Sequence, residues 1–453
     1  MVSAIFLPVL FMQGMFMDGL IYSTVARNML HSNELFQCFV SDTYLNPFFE
    51  QPPLGMLLQS LCIQLTQDVF FVDRLFGFAA LIIVLFSLYR IARLFKVAIN
   101  NSFLPLFILL LIPVVDWSYK NGMLENWMCA FTSLASLFML EKLSRDDKKQ
   151  WPFLLSSFFI VAAFLTKGFT GLFPLAIPFI YHVVFHKNLK QGFVDSSKLL
   201  LISAFILLLT FQFFPDLKTY FLSYLNKQVL SSLEGNREVD GHFFILKRVP
   251  QELIPLFILS SIVFLLAKRK YAIGLGSIHH QRYVVFFLLV TLSGSLPVMI
   301  SPKQSGYYVL CSYPFFALFF SVLLNDRLQR LKIDYLNRTR IKWLRILSIF
   351  TIATSMVVSV VNVKRYYRDR EKIQLVDDVS SMIHAEKKLM IDWSIQSDYS
   401  LKCYFYRRHF ISLYTPNFTW MKVDYFLSDQ SSIQMKLVKR YQIDGRLIYL
   451  YQH

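Results

Sequence analysis

Long apolar runs without a charged side chain constrain this chain more than any other feature. Segments 199–214, 254–267, 283–300, 305–324 and 346–363 contain no Asp, Glu, Lys or Arg. A bilayer core about 30 Å thick takes one helix of ~20 apolar residues per crossing, and a soluble core has no use for so many. Composition agrees. Hydrophobic residues form 55% of the 453, and mean hydropathy is +0.47. The reading is an α-helical multi-pass membrane protein. Spans are expected at 70–89, 103–116, 124–140, 152–166, 168–185, 198–214, 252–267, 283–300, 305–324 and 343–362, and an apolar first segment at 2–16 makes eleven. That first segment contains Pro8 and lacks the basic start and small-residue cleavage site of a signal peptide. It reads as a short span, or as one trimmed by a start codon assigned too late. Segment 52–67, with Gln59, Gln64 and Gln67, reads as an amphipathic helix at the interface.

Charge gives the orientation. Lys and Arg number 46 against 29 Asp and Glu, for a net +17. One set of loops, from Arg90 to Arg345, holds 21 of the basic residues, and the opposite loops hold nine when Arg74 and the tail are left aside. The positive-inside rule puts the first set in the cytoplasm. The opening loop 15–69, the loop 215–250 and the C-terminal tail then face outward. An anionic membrane surface accounts for the basic excess without a nucleic-acid partner. Five scattered cysteines show neither metal-type spacing nor an even disulfide count. Charges sit at span ends, and none lies mid-span. This counts against the rival class, a transporter or lipid flippase, which needs ionisable groups or broken helices at the midplane. After Lys364 short alternating stretches at 388–393, 410–414, 423–429 and 446–451 replace the apolar runs, with helix-like runs between them. The membrane domain therefore covers 1–363, and 364–453 forms a small soluble α/β domain.

The polar chemistry collects near the outer ends of the spans. Asp18 opens a helix-like run and can cap it by accepting backbone N–H groups. Glu125 similarly starts the fourth span. The patterns Asp18-x-x-x-Tyr22-x-x-x-Ala26-Arg27-x-Met29 and Phe49-Glu50-x-Pro52-Pro53-Leu54-Gly55 resemble the first outward loop of a known family. These are the membrane-embedded glycosyltransferases of the GT-C type that use polyprenyl-phosphate sugars, including bacterial aminoarabinose transferases and, more distantly, protein O-mannosyltransferases.

The resemblance implies roles. Asp18 matches the proposed catalytic acidic residue, and Glu125 a second recurring carboxylate. Glu50 and Gln51 fall in the donor-binding turn, where family members commonly carry Lys in place of Gln51. Gln cannot supply that charge. Lys167, in Leu165-Thr166-Lys167-Gly168, and Lys303, in the 301–308 segment with Tyr307, match recurring cationic segments. Each lysine could equally snorkel to the headgroups. Lys247 or Arg248 matches a phosphate-contacting Arg, and His242 with Glu50 matches a proposed pair of ligands for a divalent metal. Two ligands alone make an incomplete site. The expected activity is inverting transfer from a polyprenyl-phosphate sugar donor to a lipid, glycan or protein acceptor. It would act at the outer face of a bacterial inner membrane, as in modification of lipid A or of a cell-envelope glycan. A non-catalytic assembly subunit is the third reading, and loss of Asp18 would leave such a subunit unaffected.

Overall fold

The computed structural model describes the chain except for residues 1, 33–35, 96–102, 146–148, 231–242, 269–277, 302–303, 336–337, 384–387, 417–423, 432 and 453. The N-terminal part runs through eight helices: α1 (Val2–Leu10), α2 (Met17–His31), α3 (Leu54–Thr66), α4 (Val72–Leu94), α5 (Leu104–Leu109), α6 (Pro113–Lys120), α7 (Leu124–Arg145) and α8 (Trp151–Lys167). Helix α3 begins directly after Pro52-Pro53, since proline fits a first helical turn and cannot be reached by a helix coming from behind. It buries Met56, Gln59 and Ile63 and turns Leu61 and Leu65 outward, Leu65 being 85% exposed. Gln64 is exposed beside them, so the outward face is mixed.

Among the described residues, six helices are long and apolar enough to cross a membrane, and counting each of two bent pairs as one span gives eight. The difference from eleven has local causes. The expected span 103–116 is broken into α5 and α6, because Pro113 cannot carry the helix on from Leu109. Helix α6 then meets α7 at 114°. Helix α8 has 17 residues. The first segment gives only the nine-residue α1, about 13 Å long. It packs along the helix Arg338–Val361, where Ser359 Oγ donates to the Leu7 carbonyl at 2.7 Å.

The tail forms a five-stranded sheet of β1 (Lys388–Ile391), β2 (Ser412–Tyr414), β3 (Tyr425–Ser428), β4 (Lys436–Ile443) and β5 (Arg446–Gln452), in the order β2-β1-β3-β5-β4. Strand β1 is parallel to β2 and β3, while β5 is antiparallel to β3 and β4. Four strands fall in the alternating stretches. The fifth, β4, lies where helix-like sequence was expected. It is an edge strand exposed almost throughout, so Lys436, Lys439 and Arg440 carry no alternation to read.

This sheet domain is not free-standing. Ile373, Leu401, Phe405 and Leu450 share one buried cluster with Leu20, Val25 and Met56 from the opening loop and α3. The helix Tyr399–His409 lies against α2 and brings Arg407 to the junction. Its guanidinium donates to Ser23 Oγ at 2.7 Å and to both Asp68 oxygens at 3.1 and 2.6 Å, and it lies 3.5 Å from Asp73. Ser23 and Gln59 donate to the other Asp73 oxygen at 2.7 and 2.9 Å. Arg27 pairs with Asp68 at 3.0 Å. Two arginines thus balance two aspartates.

Candidate active site

Asp18 is the second residue of α2, and Phe16 takes the cap position with no side-chain cap bond. The capping role expected of Asp18 is therefore not the one it plays. Its carboxylate accepts a hydrogen bond from Tyr307 Oη at 3.3 Å, and its charge suits the start of the helix. The α2 start is pinned to the turn before α7. Asn121 Oδ1 accepts the Phe16 N–H at 2.8 Å, and a Cβ on Gly19 would come within 1.8 Å of the Asn121 carbonyl oxygen. Only glycine permits that approach. The same turn leads into α7, so Asp18 and Glu125 are set by one rigid corner.

Glu125 is fully buried. Lys167 Nζ lies 3.2 Å from its Oε1, and neither carboxylate oxygen has a partner in hydrogen-bond geometry among the described residues. The same ammonium donates to Tyr22 Oη at 2.6 Å. Burial, reinforced by the charges of Asp18 and Glu125, pushes the Tyr22 phenol well above its ordinary range. It stays a neutral hydroxyl with a proton to offer. Phe16, Trp117 and Tyr307 form an aromatic cluster beside Asp18, with ring centroids 4.9 and 5.6 Å apart along the series.

A cavity of about 660 Å³ opens beside this group. Glu50, Gln51, Glu125, Lys167 and Tyr308 line its polar part, and side chains such as Phe173 and Val298 make the remainder apolar. Tyr220 holds the Glu50–Gln51 turn by donating to the carbonyls of Phe48 and Gln51 at 2.7 and 3.1 Å. An apolar vessel with a few polar groups on one side suits a ligand with a hydrocarbon part and a polar head.

Residues 50–214 match the family model described as dolichyl-phosphate-mannose-protein mannosyltransferase. The fold resembles that of ArnT from Cupriavidus metallidurans bound to undecaprenyl phosphate, with a TM-score of 0.66 and 13% identity over 99% of this chain and 96% of that one. The apo state of the same protein gives 0.63 and 14% over the same shares. The chain has the GT-C fold. No curated protein sequence matches it. Family match and GT-C fold together support a membrane glycosyltransferase that uses a lipid-linked donor.

Within this GT-C frame, Glu50, Gln51, Glu125 and Lys167 line one cavity, while Asp18 and Tyr307 bond to each other outside its lining. Lys247 and Arg248 do not line the cavity. Lys247 is exposed, and Arg248 pairs with Glu252 at 2.5 Å, whose other oxygen accepts the Val114 N–H at 2.9 Å. Lys303 and His242 lie outside the described residues, and with His242 goes the expected metal pair. Among the described residues no three His, Cys, Asp or Glu side chains cluster as metal ligands do. Sequence reading missed Lys227, whose Nζ stands 4.7 Å from the centre of the Phe49 ring, next to Glu50. Nothing in its local sequence marks it. Tyr22 was marked, since it follows Asp18 by one helical turn in the first motif.

Proposed function

We propose that this protein transfers a sugar, with inversion, from a polyprenyl-phosphate donor to an acceptor at the outer face of the membrane. The observation that carries the reading is the convergence of Asp18, Glu125, Lys167 and Tyr22 beside a largely apolar cavity. The prenyl chain lies along the apolar wall, with the phosphate toward Lys167. Phosphate leaves readily, so the demand on the protein is to stabilise its developing charge. The acceptor oxygen attacks the anomeric carbon from the opposite side, the bond to the phosphate oxygen breaks, and the electron pair leaves with the phosphate. A hydroxyl acceptor gives its proton to Asp18, whereas a phosphate acceptor has none to give and Asp18 then orients it. Glu125, with unfilled acceptor sites, takes hydrogen bonds from the hydroxyls of the donor sugar.

The test is consumption of polyprenyl-phosphate sugar by the purified Asp18→Asn protein, followed by mass spectrometry. Loss of a general base lowers turnover about 10²- to 10⁴-fold. An Asp18→Asn protein of unchanged melting temperature working at the wild-type rate would remove Asp18 from the chemistry.

A further inference from the structure

We infer that the acceptor is a neutral, hydroxyl-rich saccharide, bound in a polar cleft between the start of α2 and the C-terminal sheet domain. This rests on the proposed transfer and names its acceptor. The cleft measures about 550 Å³ and lies apart from the donor cavity, with no lining residue in common. Met17 lines it, and the next residue is Asp18. Arg368 lines it as well, with its guanidinium 5.4 Å from the centre of the Phe16 ring. The cleft therefore ends where the aromatic cluster around Asp18 begins. The donor cavity is mainly apolar, and polar groups make about half of the second.

The lining decides what the polar cleft takes. Lys372 is held by Asp398 at 2.8 Å and Asp444 at 3.2 Å, and Arg368 by Asp369 at 3.3 Å. The side chains of Asp429 and Arg446 also line the cleft and have no hydrogen bond or ion pair with any described residue. Carboxylates outnumber cations by one, so a phosphate headgroup finds no surplus of positive charge. A saccharide fits, because each hydroxyl both donates and accepts: Asp429 takes its proton while Arg446 donates to its oxygen. Tyr399, 44% exposed and stacked on Tyr44 at 5.1 Å, offers a flat ring for the C–H face of a pyranose.

The experiment uses the full-length protein in lipid nanodiscs and saturation-transfer NMR. Maltotriose and chitotriose are the saccharide probes, with a Ser-Thr-Ser tripeptide and inorganic phosphate as competitors from other classes. Saccharide binding is expected, and it should weaken about tenfold in D429N/R446Q, as for loss of charge-assisted hydrogen bonds. Undecaprenyl phosphate affinity should stay the same in that variant. Absence of saccharide signal, equal signal in the variant, or signal from the peptide or phosphate alone would overturn the inference. Failure of wild-type protein to bind undecaprenyl phosphate would instead strike the proposed donor, and is read separately.

Discussion

Two charged clusters lie at the same end of the helix bundle, and they are built on opposite principles. In the Arg407 junction the guanidinium reaches Ser23, Asp68 and Asp73, and Asp73 is further satisfied by Ser23 and Gln59. Around Glu125 one ammonium serves a carboxylate and a phenol, and the carboxylate keeps unfilled acceptor sites. A buried charge network that is complete in itself holds two parts together. One that is incomplete, and faces a cavity, is waiting for a ligand.

Removing charge should separate the two. Arg407→Ala leaves Asp68 and Asp73 facing one arginine, and removing one member of a buried network costs about 3 kcal/mol. The expected result is a clear fall in melting temperature of the whole protein. A fall no larger than that of an exposed-arginine control would make the junction ornamental. At Glu125 both charges can be removed together. In the Lys167→Met, Glu125→Gln double variant stability should stay within about 1 kcal/mol, because a neutral packed pair replaces an ion pair at little net cost. Affinity for undecaprenyl phosphate should drop roughly ten- to 150-fold, the loss of one charge-assisted phosphate contact. The reverse outcome, lost stability with intact affinity, would make this cluster structural like the other.

The smallest effect lies in the sheet domain. Burial alone would raise the Asp377 carboxyl, but hydrogen bonds from His409 at 3.0 Å and Arg408 at 2.8 and 2.7 Å more than reverse this and hold it below its usual range. A depressed carboxylate stabilises the fold fully above its unfolded value of about 4, and the contribution disappears as pH falls through the lower folded value. Asp377→Asn should flatten the acid limb of a melting-temperature profile below about pH 5. An unchanged limb would show that this half-buried group contributes nothing.

How much was legible follows from the range of the interactions. The Pro-Pro start of α3, the apolar spans and most strands depend on local pattern. Asp18, Glu125 and Lys167 were legible as charges stranded at the ends of apolar helices, and the family resemblance put them in one site. The break after Leu109 was legible in Pro113, but the 114° turn from α6 into α7 depends on packing. The Arg407 junction was not legible at all, because Arg407 and Ser23 lie 384 residues apart and nothing local marks the arginine. For the same reason the tail read as a separate domain, although α2 and α3 supply about a quarter of its buried cluster.

That separation of 384 residues is also a delay. At about 5–20 residues per second, the ribosome finishes Ser23 some 20–80 s before Arg407. Throughout that interval α2 stands with Arg27, Asp68 and Asp73 lacking the arginine that balances them, and with its apolar face uncovered. The helix that carries Asp18 emerges long before the arginine that finishes its junction. A chain released before Arg407 would keep the described helices up to Val361 and leave α2 unsupported.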